Sequence, residues 1–89
     1  MKKRYCDAVA AKLNEWLPEM HFEVINAHFL WFSCTHKNNA DTSLLEELGI
    51  NVPKYYEEKH WFPGEATFDF FLSKDNYDKI RNKVIKEMA

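Results

Sequence analysis

The chain has 89 residues, of which 16% are aromatic and 29% are charged, and its formal net charge is −2. Since a chain of this length forms one domain with a thin core, we expect a single unit over 1–89 that lacks the interior pocket of about 300 Å³ or more typical of enzymes. Two cysteines and two glycines exclude a disulfide scaffold and a phosphate-binding glycine loop, and no apolar run approaches the ~18–20 residues of a membrane-spanning helix.

The start of the chain is basic but lacks the apolar segment of a secretory signal peptide. We therefore expect a cytoplasmic protein with no membrane contact. In that compartment Cys6 and Cys34 stay reduced, and the simplest interpretation is that both are buried as small apolar residues.

Charge is distributed unevenly along the chain. The local balance is +2 over residues 1–15, −5 over 41–69 and +2 over 74–89. The two ends are thus basic and the middle is acidic. Asymmetry of this kind bears on binding partners more than on fold.

Residues 2–17 are predicted to form the first helix. Tyr5, Val9 and Leu13 recur every four residues and make one apolar stripe. Pro18 ends the helix, because the residue before a proline is pushed out of the helical region.

The stretch from His21 to His36 is the most apolar and β-prone part of the sequence. Its run from Phe29 to Phe32 is unbroken by polar residues, which is typical of a strand covered on both faces at the centre of a sheet. The apolar positions change phase near Asn26. Two strands over 21–25 and 28–36 account for that change, whereas one long strand does not.

A polar loop then leads to a short helix that carries Leu44, Leu45 and Leu48. Asp41 or Thr42 can cap this helix, or Ser43 can do so with Glu46 in a capping box. Gly49 is predicted to end it.

The last third of the chain predicts a hairpin followed by a helix. Residues 54–62 read as an aromatic edge strand, and a Pro-Gly turn leads to the clearest strand, 66–72, in which apolar and polar residues alternate. A capping residue, Ser73 or Asp75, opens a final helix over 75–88. The predicted architecture is α+β in the order α-β-β-α-β-β-α, with a four-stranded, mostly antiparallel sheet.

No residue pattern predicts catalysis or a metal site. Cys34, His36, His28 and His60 are ligand types that zinc accepts, but their spacing matches no common zinc pattern. Residues i and i+2 of a strand lie about 7 Å apart, too far for a direct contact between the Cys34 thiolate and the His36 imidazole. The paired carboxylates, Glu46–Glu47 and Glu57–Glu58, diverge because neighbours in sequence point in different directions. We expect a non-enzyme without cofactor or metal.

The sequence instead favours protein binding. Aromatic side chains interleaved with acids on a sheet edge are typical of a recognition surface for a basic partner, and such an edge can also pair with a second copy to form a homodimer. Small inhibitors from phages and mobile elements, which act on nucleic-acid-handling proteins, share this size and composition, as an analogy and not as a family. The alternative is a nucleic-acid-binding domain that uses the basic terminal helices. The predicted partner-binding residues are Tyr55, Tyr56, Glu57, Glu58, His60, Trp61, Glu65 and Asp69.

Overall fold

The structure, a computed structural model, describes residues 2–37, 40–53 and 64–89. These ranges form three helices and a three-stranded antiparallel sheet, which confirms the α+β class. The elements are α1 (Lys2–Trp16), β1 (His21–Asn26), β2 (Trp31–Lys37), α2 (Ser43–Glu47), β3 (Glu65–Phe71) and α3 (Lys74–Met88). The predicted strand over 54–62, which would be the fourth, lies outside the described residues.

The sheet has the order β1–β2–β3, so the apolar stretch supplies its central strand, as predicted. Cys34 of β2 lies opposite Phe22 of β1 and Phe68 of β3. In β3 every second residue is buried, from Ala66 to Phe70, which confirms the alternation predicted for this strand. One bulge interrupts β1, between Val24 and Asn26.

The turn between β1 and β2 corrects the predicted start of β2. Phe29 and Leu30 belong to this turn and not to a strand covered on both faces. Asn26 explains the difference, because its side-chain Oδ1 accepts hydrogen bonds from the backbone N–H groups of His28 and Phe29, at 3.0 and 3.4 Å. Leu30 then takes a positive φ of 54°, and its carbonyl accepts a hydrogen bond from Leu72 N–H at 2.9 Å.

The core lies between one face of the sheet and the helices. α1 buries a stripe that includes Cys6 and Leu13, both fully inaccessible, and α3 buries Ile80. Two phenylalanine rings from neighbouring strands, Phe32 and Phe70, stack in this layer with centroids 5.4 Å apart and an interplanar angle of 8°. The buried sheet residues on this face are Phe22, Phe32, Cys34, His36, Ala66, Phe68 and Phe70, whereas Ser33 is buried on the opposite face.

Local hydrogen bonds stabilise the helix ends, and only some of the predicted capping residues form them. Ser73 caps α3 in a capping box with Asn76, as its serine suggested. The box predicted for Ser43 is absent, and Thr42, the residue that caps α2, makes no side-chain cap bond. Asp41 accepts a hydrogen bond from the backbone N–H of Ser43 at 3.0 Å instead. Gly49 follows α2 with φ 77°, the conformation for which glycine is preferred at a helix end.

Among the described helices, none combines the length and the apolar character needed to cross a membrane.

Candidate functional site

The predicted partner-binding residues fall into two groups. Tyr55, Tyr56, Glu57, Glu58, His60 and Trp61 lie outside the described residues. Glu65 and Asp69 lie on β3, and both are exposed on the face of the sheet away from the core. Because the three described helices pack on the other side, we call this surface the open face. It consists of His21, Glu23, Ile25, Trp31, Ser33, Thr35, Lys37, Glu65, Thr67, Asp69 and Phe71.

The apolar part of the open face is a row at one end of the sheet. Trp31 lies opposite Phe71 in register, and their rings stack with centroids 6.0 Å apart and an interplanar angle of 28°. Phe71 is 65% exposed, and Ile25, at the bulge of β1, is 45% exposed. Large apolar side chains with this much exposure, grouped in one row, form a patch rather than scattered surface residues.

The next row across the sheet is acidic. Ser33 lies opposite Glu23 on one side and Asp69 on the other. Neighbouring strands are about 4.8 Å apart, so the two carboxylate-bearing residues stand roughly 10 Å from each other across the small serine. Glu23 also contacts His21, with Oε1 2.9 Å from His21 Nε2. The aromatic pair is therefore bordered by negative charge.

The rows farther along the sheet are polar. The hydroxyls of Thr35 and Thr67 are 3.0 Å apart, and Lys37 lies opposite Glu65. The three strands together carry three acidic side chains, Glu23, Glu65 and Asp69, and the single basic side chain of Lys37.

The helix layer carries the opposite charge. α1 and α3 together contain nine Lys and Arg residues and five Asp and Glu residues. The basic terminal helices lie on one side of the core and the acidic strands on the other. The sequence shows only how charge varies along the chain, so the separation into a basic and an acidic layer becomes visible only in the folded structure.

The candidate catalytic and metal-binding residues are kept apart. Cys34 is fully buried beneath the sheet, where its Sγ lies 4.0 Å from the Met20 sulfur, and burial raises the pKa of its thiol to about 12. His36 is buried on the same face, and its Nδ1 lies 2.7 Å from the carbonyl of Lys37. His28 lies in the β1–β2 turn, and His60 is outside the described residues. Within the described ranges no three His, Cys, Asp or Glu side chains are placed to hold a metal ion.

Sequence reasoning missed the four large apolar and acidic residues that surround Asp69 on this surface. Trp31 was counted as the interior of a doubly covered strand, and Phe71, Ile25 and Glu23 were not assigned to binding. The alternation in β3 did place Phe71 beside Asp69 on the face opposite Phe68, so that part of the surface could have been found. The pairing of Trp31 with Phe71 depends on the register between strands, which the sequence does not show.

A comparison of the chain with protein-family models, with curated proteins and with solved structures finds no match.

Proposed function

We propose that this protein is a non-catalytic binding module, an inhibitor or adaptor, that occupies a basic surface of a larger protein through its open face. The carrying observation is the stacked pair of half-buried Trp31 and exposed Phe71 next to the acidic row of Glu23 and Asp69. Aromatic anchors surrounded by charge are the usual energetic centre of a protein interface. A nucleic-acid-handling protein, whose surface is basic, suits this charge.

The magnitude expected from the aromatic anchor is substantial. Burial of the 65% of Phe71 that is exposed contributes about 1–2 kcal/mol, which corresponds to roughly a fivefold to thirtyfold change in affinity. The acidic row contributes mainly to the rate of association and to the choice of partner. The proposal places the protein in the cytosol, in keeping with two cysteines that are free and buried.

The test is affinity capture from a native lysate, with and without nuclease, followed by mass spectrometry. The bait variants are Phe71→Ser and Asp69→Lys, both at exposed positions. Matched controls away from the open face are Ile85→Ser on α3, which is 50% exposed, and Glu47→Lys on α2. The proposal is supported if a protein is captured after nuclease treatment, is lost with Phe71→Ser and Asp69→Lys, and is still captured with both control variants. Equal capture by all four variants, or capture that nuclease abolishes, contradicts it.

The second candidate is nucleic-acid binding by the helix layer, which the excess of basic residues on α1 and α3 favours. It predicts salt-sensitive binding of a labelled oligonucleotide at low salt. Absence of binding at low salt eliminates it.

A further inference from the structure

The groove between α1 and α3 points to a second docking site, and we propose that it binds an acidic amphipathic helix of a partner protein. The site lies on the helix layer and is separate from the open face. This proposal does not depend on the proposed function, because the two surfaces share no residue.

The groove exists because the two helices meet at their ends through long side chains. At one end the rings of Tyr5 and Tyr77 are 4.9 Å apart. At the other end Trp16 Nε1 donates a hydrogen bond to Glu87, and the Lys83 ammonium lies 5.1 Å from the Trp16 ring centre. Since Tyr5 faces Tyr77 and Trp16 faces Glu87, the helices run in the same direction.

Between these ends the residues of α1 are small. Ala8 and Ala11 are both exposed, and the groove beside them has a volume of about 520 Å³, with Val9, Ile80 and Val84 also in its lining. The floor is therefore apolar. Exposed alanines allow another helix to approach closely, because the distance between the axes of two packed helices, about 8–10 Å, is shortest where the side chains at the contact are small.

The rim of the groove determines which helix fits. Arg81, Lys12 and Glu15 border it, and an adjoining hollow of about 660 Å³, which shares Tyr5 and Ala8, is lined by Lys2 and Arg4. Four basic side chains thus stand against one acidic side chain along the two linings. Lys12 already pairs with Glu15 and Glu87, at 3.0 and 3.4 Å. Among the ion pairs of the described residues, none involves Arg4 or Arg81.

The parallel arrangement adds to this charge. The N-termini of α1 and α3 lie at the same end of the groove, and each helix carries partial positive charge at its N-terminus. The groove extends from Tyr5 to Glu15 along α1, about 15 Å at 1.5 Å per residue. A helix of roughly three turns, with apolar residues at i, i+4 and i+7 and carboxylates on both sides, matches this length and charge. A phosphate backbone would leave the apolar floor uncovered.

The test is a selection of peptides from a random library of 16-residue sequences displayed on phage, with the full chain as target. The expected result is enrichment of acidic sequences with amphipathic helical spacing. Their affinity should fall at least tenfold for Ala8→Trp, which fills the groove, and for Arg81→Glu, which reverses its rim. Circular dichroism establishes that both variants are folded.

Matched controls separate this site from general charge and from the open face. Ala8→Ser keeps the groove open, Lys86→Glu reverses a charge of α3 outside the groove, and Phe71→Ser alters the open face; all three should bind the selected peptides as the wild type does. Three outcomes overturn the proposal. They are a selection without enrichment, enriched peptides that bind Ala8→Trp normally, and a fluorescein-labelled oligonucleotide or a second copy of the chain that binds the groove in place of acidic peptides.

Discussion

Asn14, near the end of α1, substitutes for a neighbouring strand at the edge of the sheet. Its side-chain Oδ1 accepts a hydrogen bond from Phe22 N–H at 2.8 Å, and its Nδ2 donates one to the Phe22 carbonyl at 3.1 Å. β1 is an edge strand of the described sheet, so these two backbone groups would otherwise be open to pairing with another chain. No pattern in the sequence predicts this contact.

Asn14→Ala is expected to lower the free energy of unfolding by about 1.5 kcal/mol. Two hydrogen bonds contribute roughly 1–3 kcal/mol net, and the better helix propensity of alanine offsets about half a kcal/mol. For a chain whose total stability is on the order of 4–13 kcal/mol, this loss lowers Tm by roughly 6–12 °C. Urea denaturation followed by circular dichroism at 222 nm measures it.

Asn14→Asp is the matched control, since it keeps the shape of the side chain and the acceptor for Phe22 N–H. Its second carboxylate oxygen faces the Phe22 carbonyl oxygen, so at pH 7 the variant should be less stable than Asn14→Ala. Protonation restores a donor, which raises the pKa of this Asp above its usual value of about 3.9. Its penalty should therefore be complete at pH 7 and disappear as pH falls below about 4.

Exposure of the Phe22 backbone groups should also favour dimers. Sedimentation velocity of Asn14→Ala is expected to show a larger concentration-dependent fraction of dimer than the wild type shows at the same concentration. If Asn14→Asp is as stable as the wild type at pH 7, or if both variants lose less than about 0.5 kcal/mol, the edge hydrogen bonds do not stabilise the sheet as argued.

Four further predictions concern the interior and the helix contacts. Asn76→Ala should cost about 2–3 kcal/mol in urea denaturation, because it removes the 2.8 Å hydrogen bond to the Leu48 carbonyl and leaves that buried acceptor unpaired; a loss below 0.5 kcal/mol would contradict this. Phe32→Ala should cost about 3–5 kcal/mol by the same measurement, and a smaller loss than for Asn76→Ala would refute the proposed core. Cys34 should react with a thiol reagent only after unfolding, since burial raises its pKa to about 12; rapid reaction of the native protein at pH 8 would disagree. Burial, followed by the negative charge of nearby groups, raises the pKa of Tyr5 to about 12. The neutral Tyr5 hydroxyl therefore stabilises the fold fully below pH 10, and this stabilisation is lost as pH rises toward 12. Absorbance at 295 nm and alkaline unfolding can follow this change; ionisation of every tyrosine near pH 10 would be the contrary result.

The sequence determined the local structure because the relevant patterns are short. A four-residue repeat of apolar side chains was enough for α1, and strict alternation was enough for β3 and for the faces of Phe68 and Asp69. Those periodicities depend only on backbone geometry within one element. The same reasoning failed at Phe29 and Leu30, where the side chain of Asn26 bonds the backbone of the turn and ends the strand that an apolar run had predicted.

The surfaces were decided by the tertiary structure, since they depend on contacts between residues far apart in the chain. The register between strands places Trp31 beside Phe71, and it places Glu23 and Asp69 on either side of Ser33. A shift of one residue would turn these side chains to the other face. The parallel approach of α1 and α3 made the groove and brought the basic residues of both chain ends into one layer. The sequence pattern therefore predicts an acidic aromatic binding surface, and only the folded structure shows which of the described aromatic and acidic side chains lie together.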